Sequence, residues 1–153
     1  LVAALEDITE GSNMGLYGIP EGFEWGCYGT IVATTYQNYA IGKGLENTEA
    51  IVSQNCQAQY GGITAAQATL NYETEGFTDW FLPSLYELVE MYNTIGNGGS
   101  EGNIGGFETS DYPSYWSSSE IYNTSARTVY FSYGGSGSDG KNGSLRVRAV
   151  RAF

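Results

Sequence analysis

The chain predicts a loop-rich α+β fold in which two helices pack on a small antiparallel sheet. Three observations carry that reading. Its 153 residues fit a single domain, 1–153. Its 22 glycines are about twice the usual share of ~7% and stand beside only 3 prolines, which means many tight turns and no low-complexity linker. A sharply capped helix near the middle is followed by segments of strict alternation towards the end. With 14% aromatic residues and 15% charged, the chain is not intrinsically disordered. No apolar run approaches the ~20 residues of a membrane helix, so no membrane insertion is expected. Leu1 in place of an initiator methionine points to a processed chain or a fragment.

The capped helix lies in Asp79-Trp80-Phe81-Leu82-Pro83-Ser84-Leu85-Tyr86-Glu87-Leu88. Leu82 precedes a proline and is biased to extended backbone. Ser84 is the natural N-cap and Glu87 stands three residues on, a capping box. The helix buries Leu85, Leu88, Val89 and Tyr92 and closes at Gly96 in a left-handed conformation. Trp80 and Phe81, just ahead of the cap, anchor the core.

The other elements follow in order. Residues 1–5 read as a short buried strand, and Glu6 to Glu24 as an acidic loop. Asn47 or Thr48 caps a weaker helix through about Gln57 that buries Ile51, Val52 and Cys56. Ala65, Ala66 and Ala68 suit close packing in a short helix or turn. Residues 96–111 form a long loop. Tyr115–Ser119 is a strand. Ala126–Tyr133 and Ser144–Phe153 alternate and are joined as an antiparallel hairpin across a long glycine-serine loop holding Asp139-Gly140 and Asn142-Gly143.

The net charge of −11 argues against nucleic acid as a partner. Residues 1–120 carry sixteen of the seventeen carboxylates and one cation, Lys43, whereas residues 121–153 carry five cations against Asp139. The simplest reading pairs an arginine-bearing strand with acidic loops of the same fold. There is no histidine, which removes the commonest general base and the Ser-His and Cys-His nucleophile arrangements. Without histidine, two cysteines do not make a common zinc site, and no metal or cofactor is expected. Gly98–Asn103 lacks EF-hand spacing. Cys27 and Cys56, an even count, are expected to form a disulfide, which implies an extracellular setting; two free thiols are the alternative. Asn123-Thr124-Ser125 and Asn142-Gly143-Ser144 fit the glycosylation pattern.

Four motifs occur in order: Trp25-Gly26-Cys27-Tyr28-Gly29-Thr30, Asp79-Trp80-Phe81-Leu82-Pro83-Ser84 with Glu87-Leu88, Tyr115-Trp116-Ser117-Ser118-Ser119-Glu120, and Arg146-Val147-Arg148-Ala149-Val150-Arg151. Together they resemble a bacterial surface-domain family related to the C-terminal domain of the Legionella collagen-like adhesin. The resemblance implies a C-type-lectin-like fold, with two helices on a small twisted antiparallel sheet. It also implies a non-enzymatic, exported module for adhesion or ligand binding at the cell surface. Glu-Pro-Asn, Gln-Pro-Asp and Trp-Asn-Asp triplets, used by calcium-dependent lectins, are absent, so calcium-mediated sugar binding is not expected. The chain also begins after the point where the family's glycine-rich first strand would end.

The expected ligand face is formed by loops 96–114 and 134–143 with the exposed sides of the last strands. Its candidates are Tyr112, Tyr115, Tyr122, Asn123, Tyr133, Ser136, Ser138 and Asn142. Tyrosine and asparagine give large contact area and adaptable hydrogen bonding, suited to a glycan or a protein ligand. One rival reading makes the chain a subunit of a homopolymeric fibre, built by strand addition on an unpaired edge at Leu145–Phe153. The other is an enzyme like the formylglycine-generating oxidases, which would need Cys27 and Cys56 as a reactive pair.

Overall fold

The computed structural model describes residues 1–16 and 19–152. The fold is α+β, with three helices and two small antiparallel sheets. The elements are β1 (Val2–Ala3), α1 (Gly44–Ser53), α2 (Ala65–Asn71), α3 (Leu85–Ile95), β2 (Ser114–Tyr122), β3 (Ser125–Tyr130), β4 (Ser136–Gly140) and β5 (Val150–Arg151). β1 pairs with β5, and β2-β3-β4 form the larger sheet.

That larger sheet divides two cores. Alternation sends Trp116 and Ala126 into one, with Phe23, Trp25, Ile51, Trp80, Leu82 and Leu145. It sends Tyr115 and Val129 into the other, with Phe81, Leu85, Leu88, Met91 and Phe131. The corner before α3 joins them: Trp80 and Leu82 enter the first core, and Phe81 between them enters the second while exchanging backbone hydrogen bonds with Val150 (2.8 and 3.0 Å). Trp80 and Trp116 therefore share one core.

The capping box is present. The Glu87 amide donates to Ser84 Oγ (3.3 Å), and the Ser84 amide donates to Glu87 Oε2 (2.8 Å). Glu87 is fully buried because its second oxygen also accepts from the Gly42 amide (2.8 Å), tying α3 to the approach of α1. The end of α3 differs from expectation. Gly96 has φ −93° and ψ −168°, extended and not left-handed. Glycine is needed there because an added Cβ would lie 2.9 Å from the Tyr92 backbone. Met91 completes the buried face of α3, and the expected Val89 and Tyr92 pack partly buried against the same core.

α1 begins at Gly44, ahead of the expected caps, and ends at Ser53. Asn47 and Thr48 are buried inside it. Thr48 Oγ1 accepts from the Leu82 amide (3.0 Å), and Asn47 exchanges hydrogen bonds with Asn38 (2.9 Å each). They serve neighbouring segments and not the helix end. α2 settles the open choice at Ala65–Ala68 as a helix, with the Thr64 hydroxyl accepting from the Gln67 amide.

The predicted final hairpin is corrected. β3 pairs not with the last segment but with β4, which forms from the expected glycine-serine loop itself. The predicted strand 144–153 is regular only at Val150–Arg151; its last residue, Phe153, lies outside the described residues. Residues 145–150 run through the interior. They bond on one side to Phe23, Ile8 and Ala4, and on the other to Ser114, Trp116 and Phe81. The unpaired edge expected at Leu145–Phe153 is not found in the described residues 145–151, which are paired within the chain, and strand addition there loses its template. At the start, Ala4 is buried, while Leu1, Val2 and Leu5 are exposed.

Cys27 and Cys56 form a disulfide. Cys27 has φ 53° and its neighbour Gly26 has φ 92°. Glycine at 26 also permits close approach, since an added Cβ would lie 2.7 Å from Thr64 Cγ2 and 3.1 Å from Cys56 Cβ. A fully buried ion pair between Lys141 and Glu120 joins the end of β4 to β2, and the disulfide loop bonds to it, with the Val32 amide donating to the Glu120 carboxylate (3.1 and 3.2 Å). The Lys141 ammonium also donates to the Thr30 carbonyl (2.8 Å) and lies 4.7 Å from the centre of the Trp25 ring. Three of the other C-terminal cations pair within the fold too: Arg148, buried, and Arg146 lie on Asp7 (2.7 and 3.8 Å), and Arg151 bonds Asp79 (2.7 Å). Arg127 instead lies over the Tyr39 ring. The basic end of the chain is thus mostly matched by acids of the same fold, while most of the carboxylates are not in ion pairs among the described residues.

Candidate functional site

The register of β2-β3-β4 separates the sequence-selected residues. β3 runs from Ser125 to Tyr130, about 20 Å at the usual strand rise. Tyr122 and Asn123 sit at the turn where it starts, and the Asn123 carbonyl accepts from the Gly29 amide (2.9 Å). Asn142 belongs to the same end, because the Lys141 amide donates to the Thr124 carbonyl (2.9 Å). Tyr133 and Ser136 sit at the opposite end, beyond Tyr130. Tyr112 joins them there, because Ser114 is paired with Tyr130 and the Phe131 amide donates to the Pro113 carbonyl. Ser138 lies midway along β4.

Tyr115 is a correction: it is fully buried and belongs to the core. Its ring packs on Phe107 and Phe131, with centroids at 5.6 and 4.7 Å. Its hydroxyl donates to Asp7 Oδ2 (2.9 Å) and accepts from the Glu108 amide (2.9 Å). Burial, with the Asp7 charge beside it, pushes this phenol well above its ordinary value. The alternation that exposes every second residue of a surface strand fails in β2, where Ser114 to Glu120 are buried on both faces.

The Tyr133 end combines an aromatic surface with polar backbone. Tyr133 is 68% exposed, and its ring is stacked on Tyr130 with centroids at 5.7 Å and planes 9° apart. The Tyr130 ring covers Gly137 across the strands: a Cβ at 137 would meet Tyr130 Cε2 at 2.9 Å. Beneath it, Thr128 is fully buried and its Oγ1 has no hydrogen-bond partner among the described residues. Sequence reasoning missed Tyr130; its signal was an aromatic residue one strand away from a glycine.

Asp139, on the same face as Gly137, is half-buried, and burial pushes its carboxyl up against one hydrogen bond from its own neighbour, the Gly140 amide (2.8 Å). Glu108 near Tyr112 is the opposite case. The amides of Ser110 and Asp111, the Ser110 hydroxyl and the Thr109 amide hold its carboxylate at about 2. It is a turn-forming anion whose Oε1 takes all four of these bonds.

A cleft of about 450 Å³ opens elsewhere, between residues 6–11 and the end of α2, with Ile8, Ile63 and Tyr72 inside and Glu6, Glu10 and Glu73 around it. It holds none of the sequence-selected residues. Among the described residues no group of three or more carboxylates and cysteines is placed to hold a metal ion.

An α+β domain held by a disulfide fits the class of extracellular or surface-associated modules. The family model of the Lcl C-terminal domain matches residues 31–151, and the chain belongs to that family. A search of the curated proteins finds no match. Phe23 and Trp25 lie outside the matched span but are integral to the fold: both are fully buried, and Phe23 exchanges backbone bonds with Leu145 (2.8 and 3.1 Å).

Proposed function

We propose that the chain is a non-catalytic extracellular module that binds a glycan or protein ligand on a surface, through the sheet end bearing Tyr112, Tyr130, Tyr133, Ser136 and Ser138. The observation that carries this reading is the Tyr133 ring, exposed, stacked on Tyr130 and flanked by Ser136 at the head of β4. A tyrosine held rigid by a neighbour offers large amphipathic contact area at little cost in conformational entropy. Family membership and the disulfide support a surface setting. The pairing of β1 with β5 at the two ends of the described chain supports the lectin-like reading. The oxidase reading is disfavoured because Cys27 and Cys56 are joined and there is no histidine to assist another nucleophile.

The test is an array of glycans and extracellular-matrix proteins probed with the wild type and with Tyr133→Ala. The wild type is expected to retain a discrete set of ligands, with at least tenfold weaker binding by Tyr133→Ala at unchanged melting temperature. Binding indifferent to Tyr133 would contradict the assignment of this face.

A further inference from the structure

β4 is the outer strand of its sheet, paired only with β3. The Tyr130 amide donates to the Gly135 carbonyl and the Lys141 amide to the Thr124 carbonyl, both at 2.9 Å. In an antiparallel ladder hydrogen-bonded residues alternate, so Gly137 and Asp139 turn their backbone groups to β3. Ser136, Ser138 and Gly140 turn theirs outward. Gly140 is already satisfied: its amide donates to Asp139 Oδ1 and its carbonyl accepts from the Gly143 amide, each at 2.8 Å. Ser136 and Ser138 have no such partners among the described residues. Each therefore shows an amide and a carbonyl outward, four groups in the two-residue repeat that an added strand reads.

Natural edges are usually guarded by lysine, proline or a bulge. This edge has exposed serines and glycines, a register with β3 unbroken from Ser136 to Gly140, and one charge, Asp139. No cation lies within salt-bridge distance of Asp139 among the described residues.

We propose that the β4 edge docks an extended segment of another protein as a fourth strand, hydrogen-bonded to Ser136 and Ser138, with a lysine or arginine side chain facing Asp139. The proposal rests on the binding-module reading and names the partner's chemistry. A polypeptide supplies alternating donors and acceptors at the repeat of the edge; a glycan does not. A cation beside Asp139 compensates a half-buried carboxylate, and a basic segment is drawn to a domain of net charge −11. A second copy fits less well, because it brings another −11 to a strip of four backbone groups, while stable interfaces bury ~1,200–2,000 Å². The Tyr130–Tyr133 pair walls the same end and receives an apolar side chain of the partner.

The test pans a display library of random eight-residue peptides against the whole chain and measures the selected peptides by titration calorimetry. Selected peptides are expected to share one lysine or arginine within an alternating pattern. Ser138→Pro removes an outward amide and no β3–β4 bond, and is expected to weaken binding at least tenfold. The amide resonances of Ser136 and Ser138 in the wild type are expected to shift on adding the peptide, a readout that stands even if Ser138→Pro folds poorly. Three results would overturn the proposal: no selected peptide, peptides that leave those two amides unmoved, or a wild-type dimer that Ser138→Pro dissociates. Array binding that depends on Tyr133 but not on Ser138→Pro would remove the edge proposal and leave the binding-module reading in place.

Discussion

Lys141→Ala is expected to destabilise the fold by about 3–5 kcal/mol, the usual cost of removing one partner from a buried ion pair. Both side chains of the Lys141–Glu120 pair are fully buried. Burial pushes the Glu120 carboxyl up and the Lys141 ammonium down, and the contact between them pulls each back towards its charged form. Without Lys141, the Glu120 carboxylate keeps only the Val32 amide as donor, at 3.1–3.2 Å, and the Thr30 carbonyl loses its ammonium donor. The paired replacement Lys141→Met with Glu120→Leu removes both charges and is expected to recover most of the loss, since an apolar substitute for such a pair is often neutral. Urea unfolding checks both: the midpoint should fall for Lys141→Ala with an unchanged slope, and return towards wild type in the double variant. A single variant as stable as wild type would mean that the pair is solvated.

Trp116→Ala is expected to cost about 3–5 kcal/mol, as for other large aromatic residues removed from cores. Trp116 is fully buried, and its indole N–H donates to the Phe23 carbonyl (2.7 Å). Trp25 returns the bond, with its indole N–H donating to the Ser117 carbonyl (2.9 Å). This exchange fastens residues 23–25 to β2, so truncation leaves a cavity and takes from the Phe23 carbonyl one of its two donors, the other being the Leu145 amide. Trp116→Phe keeps most of the ring and is expected to fall between wild type and alanine in thermal unfolding. An unchanged melting temperature in Trp116→Ala, with binding lost, would place Trp116 in a ligand site and contradict the core.

The parts of this fold legible in the sequence are the local ones. Ser84 and Glu87 read as a capping box because both partners lie within four residues, and the structure holds both bonds. The start of α1 was misread because Thr48 serves Leu82, 34 residues away, and nothing local signals that. β4 was read as a loop because serine and glycine have little strand propensity. It is a strand because its backbone completes β3 and the Tyr130 ring covers Gly137. Lys141 lies between two turn signals, and nothing local in the sequence shows that it is fully buried. Of the candidate ligand residues, Tyr133, Ser136 and Ser138 are exposed, whereas Tyr115 is buried, because a strand buried on both faces shows no alternation to read.

Hydrogen–deuterium exchange across the chain, with and without a ligand taken from the array, tests the central claim most directly. The account predicts new protection in residues 130–138, at the Tyr130–Tyr133 pair and the β4 edge, with none at Tyr122, Asn123 and Asn142. Protection confined to those three residues, or to residues 6–11 and 68–73 around the acidic cleft, would contradict it.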